Sequence, residues 1–215
     1  KNVDEIFIAD IDATVNNKNP NYKLIKNLAI ECRMPFCYAG GINSITKALK
    51  IIELGVEKVA IGSAAIINPN IISELSKQIG KQSVVVVLDI KKTRFTKKYE
   101  IFTHNGKKSS GLLAKDYALK MQSLGAGELI FNSIDNDGSM NGYDLKLIEE
   151  VTKKINIPFT VLGGAKDLND MKLLINKYHP CGVSASSLFI FKGKHKAVLI
   201  QYPENQEKEK ILLPN

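Results

Sequence analysis

The chain is nearly without arginine: among 30 Lys and Arg residues only Arg33 and Arg94 are Arg, so the net charge of +8 rests on lysine. Bidentate grip on phosphates or base edges draws on the planar Arg fork, and the lysines are spread over helix faces and loops with few aromatic residues among them. A solvated Lys-rich surface is therefore expected and a nucleic-acid site is not, although the charge can still draw in an anionic substrate. Long apolar runs are also missing. Nothing reaches the roughly 18 residues that a membrane span requires, and no signal-peptide pattern is present, so a cytoplasmic protein without membrane contact is expected. Cysteine is scarce and odd in number: Cys32, Cys37 and Cys181 stand at no metal-ligand spacing and read as buried free thiols of a reducing compartment. The three histidines suggest no chemistry either. His104 falls on a hairpin turning at Asn105-Gly106, His179 and His195 lie in late polar segments, and no Ser-His-Asp arrangement emerges. No motif calls for a metal or a cofactor.

What the chain does have is a long internal repeat. Residues 5–66 and 128–189 match at a constant offset of 123, pairing Glu5 with Glu128, Asp12 with Asp135, Pro35 with Pro158, Gly40-Gly41 with Gly163-Gly164, and Ser63 with Ser186. Solenoid units run to roughly 20–50 residues, so a period this long indicates a domain built from two similar halves. With 215 residues and 44% apolar content, one substantial core is within reach.

Each copy alternates strand and helix. Short apolar runs predict strands at 5–11, 36–39, 58–62, 84–90, 127–133, 158–162 and 181–185, and the uninterrupted SVVVVLDI of 83–90 is the pattern of a parallel strand covered on both faces. Helical spacing marks 22–32, 112–124 and 143–155, and Ser44 and Asp167 sit where helix N-caps belong. Such alternation means an α/β barrel or a doubly wound sheet, and equivalent halves close naturally around a barrel axis. The expected fold is therefore a (β/α)8 TIM barrel in a single domain, 1–215, with repeat halves 1–82 and 83–205. Seven strands leave it one short. The unit at 83–126 precedes the second copy, and the same offset puts its counterpart in about 40 residues ahead of the first, so the first strand–helix unit is expected to be absent from this chain.

Parallel barrels carry their chemistry at the C-terminal ends of the strands. Those ends supply Asp10 and Asp12, Gly40-Gly41, Gly62-Ser63, Asp89, Asp135, Asp137-Gly138, Gly163-Gly164, Ser184 and Ser186. A Gly-Gly turn between strand and helix lets backbone amides approach a phosphate, although a tight turn alone would also use it. Two such turns at equivalent positions, each followed by Ser at the next strand end, point to a substrate with a phosphate at each end: Gly40, Gly41 and Ser63 at one, Gly163, Gly164 and Ser186 at the other. Asp89 follows an apolar strand, where desolvation can tune a carboxylate for proton transfer. Asp10 and Asp137 are weaker candidates, and Asp12 and Asp135 are as well explained by loop capping. At the opposite end, Glu5, Lys58 and Glu128 each start a strand.

The segments DEIFIADIDAT, YAGGI, VAIGSAA, VVVVLDIK, GAGELIFNSIDNDGSMNGYDL, TVLGGAKD and VSASSLF resemble the HisF family, the cyclase subunit of imidazole glycerol phosphate synthase, across nearly the whole chain. The resemblance implies a (β/α)8 barrel acting on a bisphosphorylated ribotide, with Asp89 as acid/base, Asp10 and Asp137 lining the site, and the two Gly/Ser sets gripping the phosphates. It also implies a HisH-like glutaminase partner docked at the barrel bottom, with Glu5, Lys58 and Glu128 as an ammonia gate and Glu57 near that interface. The family's second catalytic aspartate and a loop lysine would fall in the absent unit, so the chain as it stands is not expected to turn over. Gly62, Asn132, Leu162 and Lys166 depart from the histidine-pathway pattern. FNSIDNDGSMNGYDL and KGKHKAVLIQYP look more like HisF paralogues associated with surface polysaccharide, where ammonia serves acetamidino-sugar formation and a separate amidotransferase completes the amidine. A histidine-pathway cyclase and a non-catalytic ammonia conduit are the alternatives.

Overall fold

The computed structural model describes residues 3–193 and 195–212. In chain order the elements are β1 (Ile6–Ala9), α1 (Ile11–Val15), α2 (Tyr22–Glu31), β2 (Phe36–Ala39), α3 (Ile45–Glu53), β3 (Lys58–Ile61), α4 (Ser63–Ile67), α5 (Asn70–Ile79) and β4 (Val84–Lys92). There follow β5 (Tyr99–Thr103), β6 (Lys108–Leu113), α6 (Ala114–Ser123), β7 (Glu128–Ser133), α7 (Leu145–Thr152), β8 (Phe159–Leu162), α8 (Leu168–Tyr178), β9 (Gly182–Val183), α9 (Ser187–Ile190), β10 (Phe191–Lys192), β11 (Ala197–Val198) and α10 (Asn205–Leu212). The parallel strands pair in the order β1-β2-β3-β4-β7-β8-β9, the seven expected from the apolar runs, while β5 and β6 form an antiparallel hairpin hung on the end of β4.

Period-two alternation divides the sheet into two faces. Ile8, Phe36, Tyr38, Val59, Ile61, Val84, Val86, Leu88, Leu129, Phe131 and Val161 face the helices and make the large core with Ile25, Ile51, Ile72, Leu75, Met121, Leu147 and Leu174. Cys37, Ala60, Val85 and Ile130 form a second, smaller cluster with Phe7, Ala39, Val87 and Leu162 on the other face. That inner face is small because the sheet curls around it. In a flat sheet, β1 and β7 would stand about 19 Å apart at 4.8 Å per strand. Lys58 of β3 nevertheless reaches both: its Nζ lies 2.9 Å from Glu5 Oε2, one residue before β1, and 2.8 Å from Glu128 Oε2 on β7. Curled parallel strands with helices outside are the architecture of a (β/α) barrel.

The repeat is visible in the caps that start the helices. Asn21 accepts from Leu24 N at 3.1 Å and its counterpart Asp144 from Leu147 N at 3.0 Å. Ser44 accepts from Lys47 N at 3.4 Å and Asp167 from Asp170 N at 2.9 Å. All four are short side chains that satisfy an amide the helix leaves orphaned. The thiols correct one expectation: all three are free, but only Cys37 is buried. Cys32 caps the C-terminus of α2 and Cys181 immediately precedes β9, so both pack against the edge of the large core and are only half-buried.

Candidate active site

Inner-face parity on β4 runs Val85, Val87, Asp89, so the strand that begins as apolar packing delivers a carboxylate at its C-terminal end. Asp89 is in register with Asn132 on β7, and Asn132 Nδ2 donates to Asp89 Oδ1 at 2.8 Å. Burial pushes the Asp89 carboxyl above its ordinary range, the Asn132 hydrogen bond pulls it back, and the charge of Asp137 pushes it up again. Both residues line a cavity of about 540 Å³ at the C-terminal ends of the strands, within the range of small-molecule sites.

The same cavity gathers one predicted phosphate set and two more carboxylates: Gly40, Gly41, Ser63, Asp10 and Asp137 all line it. Gly40 (φ +123°) and Gly163 (φ +93°) hold equivalent positions in the two halves. A Cβ on Gly40 would lie 2.5 Å from Asp10 O, and one on Gly163 would lie 2.6 Å from Ser133 O. The Gly-Gly turns are thus required by the close approach of the neighbouring strand end, whatever ligand they also meet. Ser63 opens α4, and Ser186, at the same place in the second half, is the N-cap of α9.

The second set is not equally open. Gly163, Gly164, Ser184 and Ser186 line a separate recess of about 10 Å³, near the volume of one water. Asp137 and Leu162 line both spaces. Asp10 lines the cavity, yet its Oδ1 is occupied as the N-cap of α1, accepting from Ala13 N at 3.1 Å and Asp12 N at 3.3 Å. Asp12 is exposed on α1. Asp135 pairs with Lys91 at 3.6 Å and accepts from Lys92 N, which is loop anchoring.

One residue that sequence reasoning set aside also belongs here. His104 lines the cavity with Asn105 and Gly106, at the tip of the β5–β6 hairpin. Its Nδ1 lies 2.9 Å from Thr103 Oγ1. Asn105-Gly106 announced the turn, but where the tip lands depends on Gly106 packing beside Ile134, a contact no local pattern encodes.

The far end of the inner face is a charged floor. Besides its two bonds to Lys58, the cluster includes Thr160, whose Oγ1 donates to Glu128 Oε1 at 2.7 Å. Burial works against the Lys58 ammonium, but hydrogen bonds to Glu128 and Glu5 and their charges outweigh it and push its pKa up. Just above, the Cys37 thiol is pushed up by burial and by Glu5 and Glu128. Glu57 does not join them. Its carboxylate accepts from Phe36 N at 2.8 Å and satisfies the first amide of β2 from the exposed side.

A curled parallel sheet with a small-molecule-sized cavity at its C-terminal strand ends and a charged cluster at the other end defines an α/β-barrel protein. The family profile described as "Histidine biosynthesis protein" matches residues 1–196. The chain is 48% identical over 211 residues to the "Putative imidazole glycerol phosphate synthase subunit HisF" of Leptospira interrogans, covering 98% of this chain and 83% of that protein. It is 46% identical to the "Putative imidazole glycerol phosphate synthase subunit hisF3" of Vibrio vulnificus, covering 97% and 80%. To the "Imidazole glycerol phosphate synthase subunit HisF" of Petrotoga mobilis it is 42% identical, covering 78% and 67%. The chain belongs to the HisF family.

Proposed function

We propose that the protein is a HisF-type, cyclase-like subunit that receives ammonia from a HisH-like glutaminase and uses it beside Asp89. The observation supporting this reading is the alignment along one interior of a Glu5–Lys58–Glu128 floor, an apolar layer of Cys37, Ala60, Val85 and Ile130, and a cavity carrying a buried carboxylate. In this reading the glutaminase docks below the floor, near Glu57, and ammonia passes once Lys58 swings away from one of its carboxylates. Asp89 then moves a proton at the reacting centre, its raised pKa bringing it nearer to working pH. Gly40, Gly41 and Ser63 hold one phosphate, with Gly163, Gly164 and Ser186 as the second grip. Asp10 contributes field rather than a free carboxylate oxygen at its capping end, and Asp137 tunes Asp89.

The ligand we favour is that of the paralogues tied to acetamidino-sugar formation for surface polysaccharide, with a separate amidotransferase as a further partner. Two features favour it over the histidine-pathway cyclase. The second phosphate recess is only about 10 Å³, with Leu162 on its wall, and Asn132 and Gly62 change the top of the interior. The experiment is an assay of the full-length protein on the bisphosphorylated ribotide with ammonium salts, following imidazole glycerol phosphate and AICAR. Turnover at ordinary enzymatic rates would establish the histidine reading over the paralogue. If there is no turnover, the sugar pathway is assayed: amidination surviving Asp89→Asn would favour a conduit over an enzyme.

A further inference from the structure

Asn132 is bound to Asp89 in a way that fixes both side chains. A carboxylate can only accept, so the amide must turn its Nδ2 toward Asp89, and the 2.8 Å contact to Oδ1 has that polarity. The other end of the amide is left without reward: Asn132 Oδ1 is buried and has no hydrogen-bond partner among the described residues. It points at the Gly163 backbone, where an added Cβ would stand 3.1 Å from it. An unpartnered buried acceptor is costly, so the amide is held against that cost by the charged partner. Asp89 Oδ2, by contrast, has no hydrogen bond among the described residues and belongs to a side chain that lines the cavity.

We propose that Asn132 is a positioning residue that clamps Asp89 through Oδ1 and leaves Oδ2 as the single reactive oxygen facing the ligand. This rests on the reading of Asp89 as the reacting carboxylate, but the clamp itself is testable without turnover. The surroundings leave few competing charges. Asp137 acts on Asp89 directly, and Asp10, Lys18 and His104 share the cavity. On β3 the register ends with Ile61 opposite Val86, short of Asp89, and the outer helices pack on Leu88 and Ile90 rather than Asp89.

The test is a carboxyl 13C NMR titration of the Asp-labelled protein, with the Asp89 signal assigned by its loss in Asp89→Asn. Replacing Asn132 by Leu, which keeps the shape and removes the donor, is expected to raise the Asp89 midpoint by about one unit, a tenfold gain in proton affinity. Asn132→Thr restores a donor and is expected to fall between the two. Midpoints that coincide in wild type and Asn132→Leu, or in wild type and the donor-free Asn132→Ala if the Leu variant does not fold, would overturn the clamp. A shifted midpoint in a protein inactive on every substrate tried would uphold the clamp and count against the functional reading alone.

Discussion

Replacing Lys58 by Met removes the cation that joins β1 to β7 across the curl of the sheet. The two ion pairs are unequal. Glu128 is only 15% exposed and Lys58 24%, so their 2.8 Å bond is sheltered, whereas Glu5 is 37% exposed and solvent screens its 2.9 Å contact. A charge-assisted bond in shelter contributes about 1.5–3 kcal/mol and an exposed pair about 0.5. The substitution should therefore cost about 2 kcal/mol at neutral pH, which is about 1 M in urea midpoint for a chain of this size. The pH dependence has a definite sign. Because the folded pKa of Lys58 is raised above its ordinary 10.5, its contribution is complete below that value and is lost as pH rises through the folded pKa. Urea melts followed by circular dichroism should show a constant gap between wild type and Lys58→Met from pH 7 to about 10, narrowing above it. Adding Glu5→Gln and Glu128→Gln should recover most of the loss, since no uncompensated carboxylate is then left. Identical midpoints for wild type and Lys58→Met at pH 7 would refute the reasoning.

Three other perturbations follow from the geometry. Gly163→Ala combines a left-handed backbone with a 2.6 Å approach to Ser133 O and should cost more than 2 kcal/mol in chemical denaturation, whereas Gly111→Ala, with the same sign of φ and open space around it, should cost about 1. Asp144→Ala removes both the cap on Leu147 N and the acceptor for Tyr99 OH, at 2.9–3.0 Å, so about 2 kcal/mol and faster amide exchange in the β5–β6 hairpin are expected. His104 holds a left-handed backbone (φ +53°) that Asn also tolerates, so His104→Asn at the hairpin tip should leave the melting temperature within a degree or two and change ligand affinity at the cavity, measured by calorimetry with the bisphosphorylated ribotide.

Most of the scaffold was legible because it is periodic. The constant offset of 123 reappears as paired caps, Asn21 with Asp144 and Ser44 with Asp167, and as two glycines meeting equivalent strand ends. Parity was also readable, and it sharpens the site. Phe7 faces inward, so Ala9 does too and Asp10 falls on the other side, which is why it caps α1 rather than standing free beside Asp89. The same alternation puts Lys58 inside and Glu57 outside. What no local pattern held was distance: that Lys58 spans to both β1 and β7, that the hairpin tip returns His104 to the cavity, and that the second recess is only about 10 Å³. Each depends on how tightly the sheet curls, which is a property of the packed whole.

The central proposal is that Asp89 moves a proton in the cavity. The direct measurement is the rate of ammonia-dependent product formation by the full-length wild type and its Asp89→Asn variant on whichever substrate the wild type turns over, with folding checked by melting. A loss of about 100-fold or more with an unchanged melt is predicted for a positioned general acid/base. Equal rates from the two proteins would contradict it.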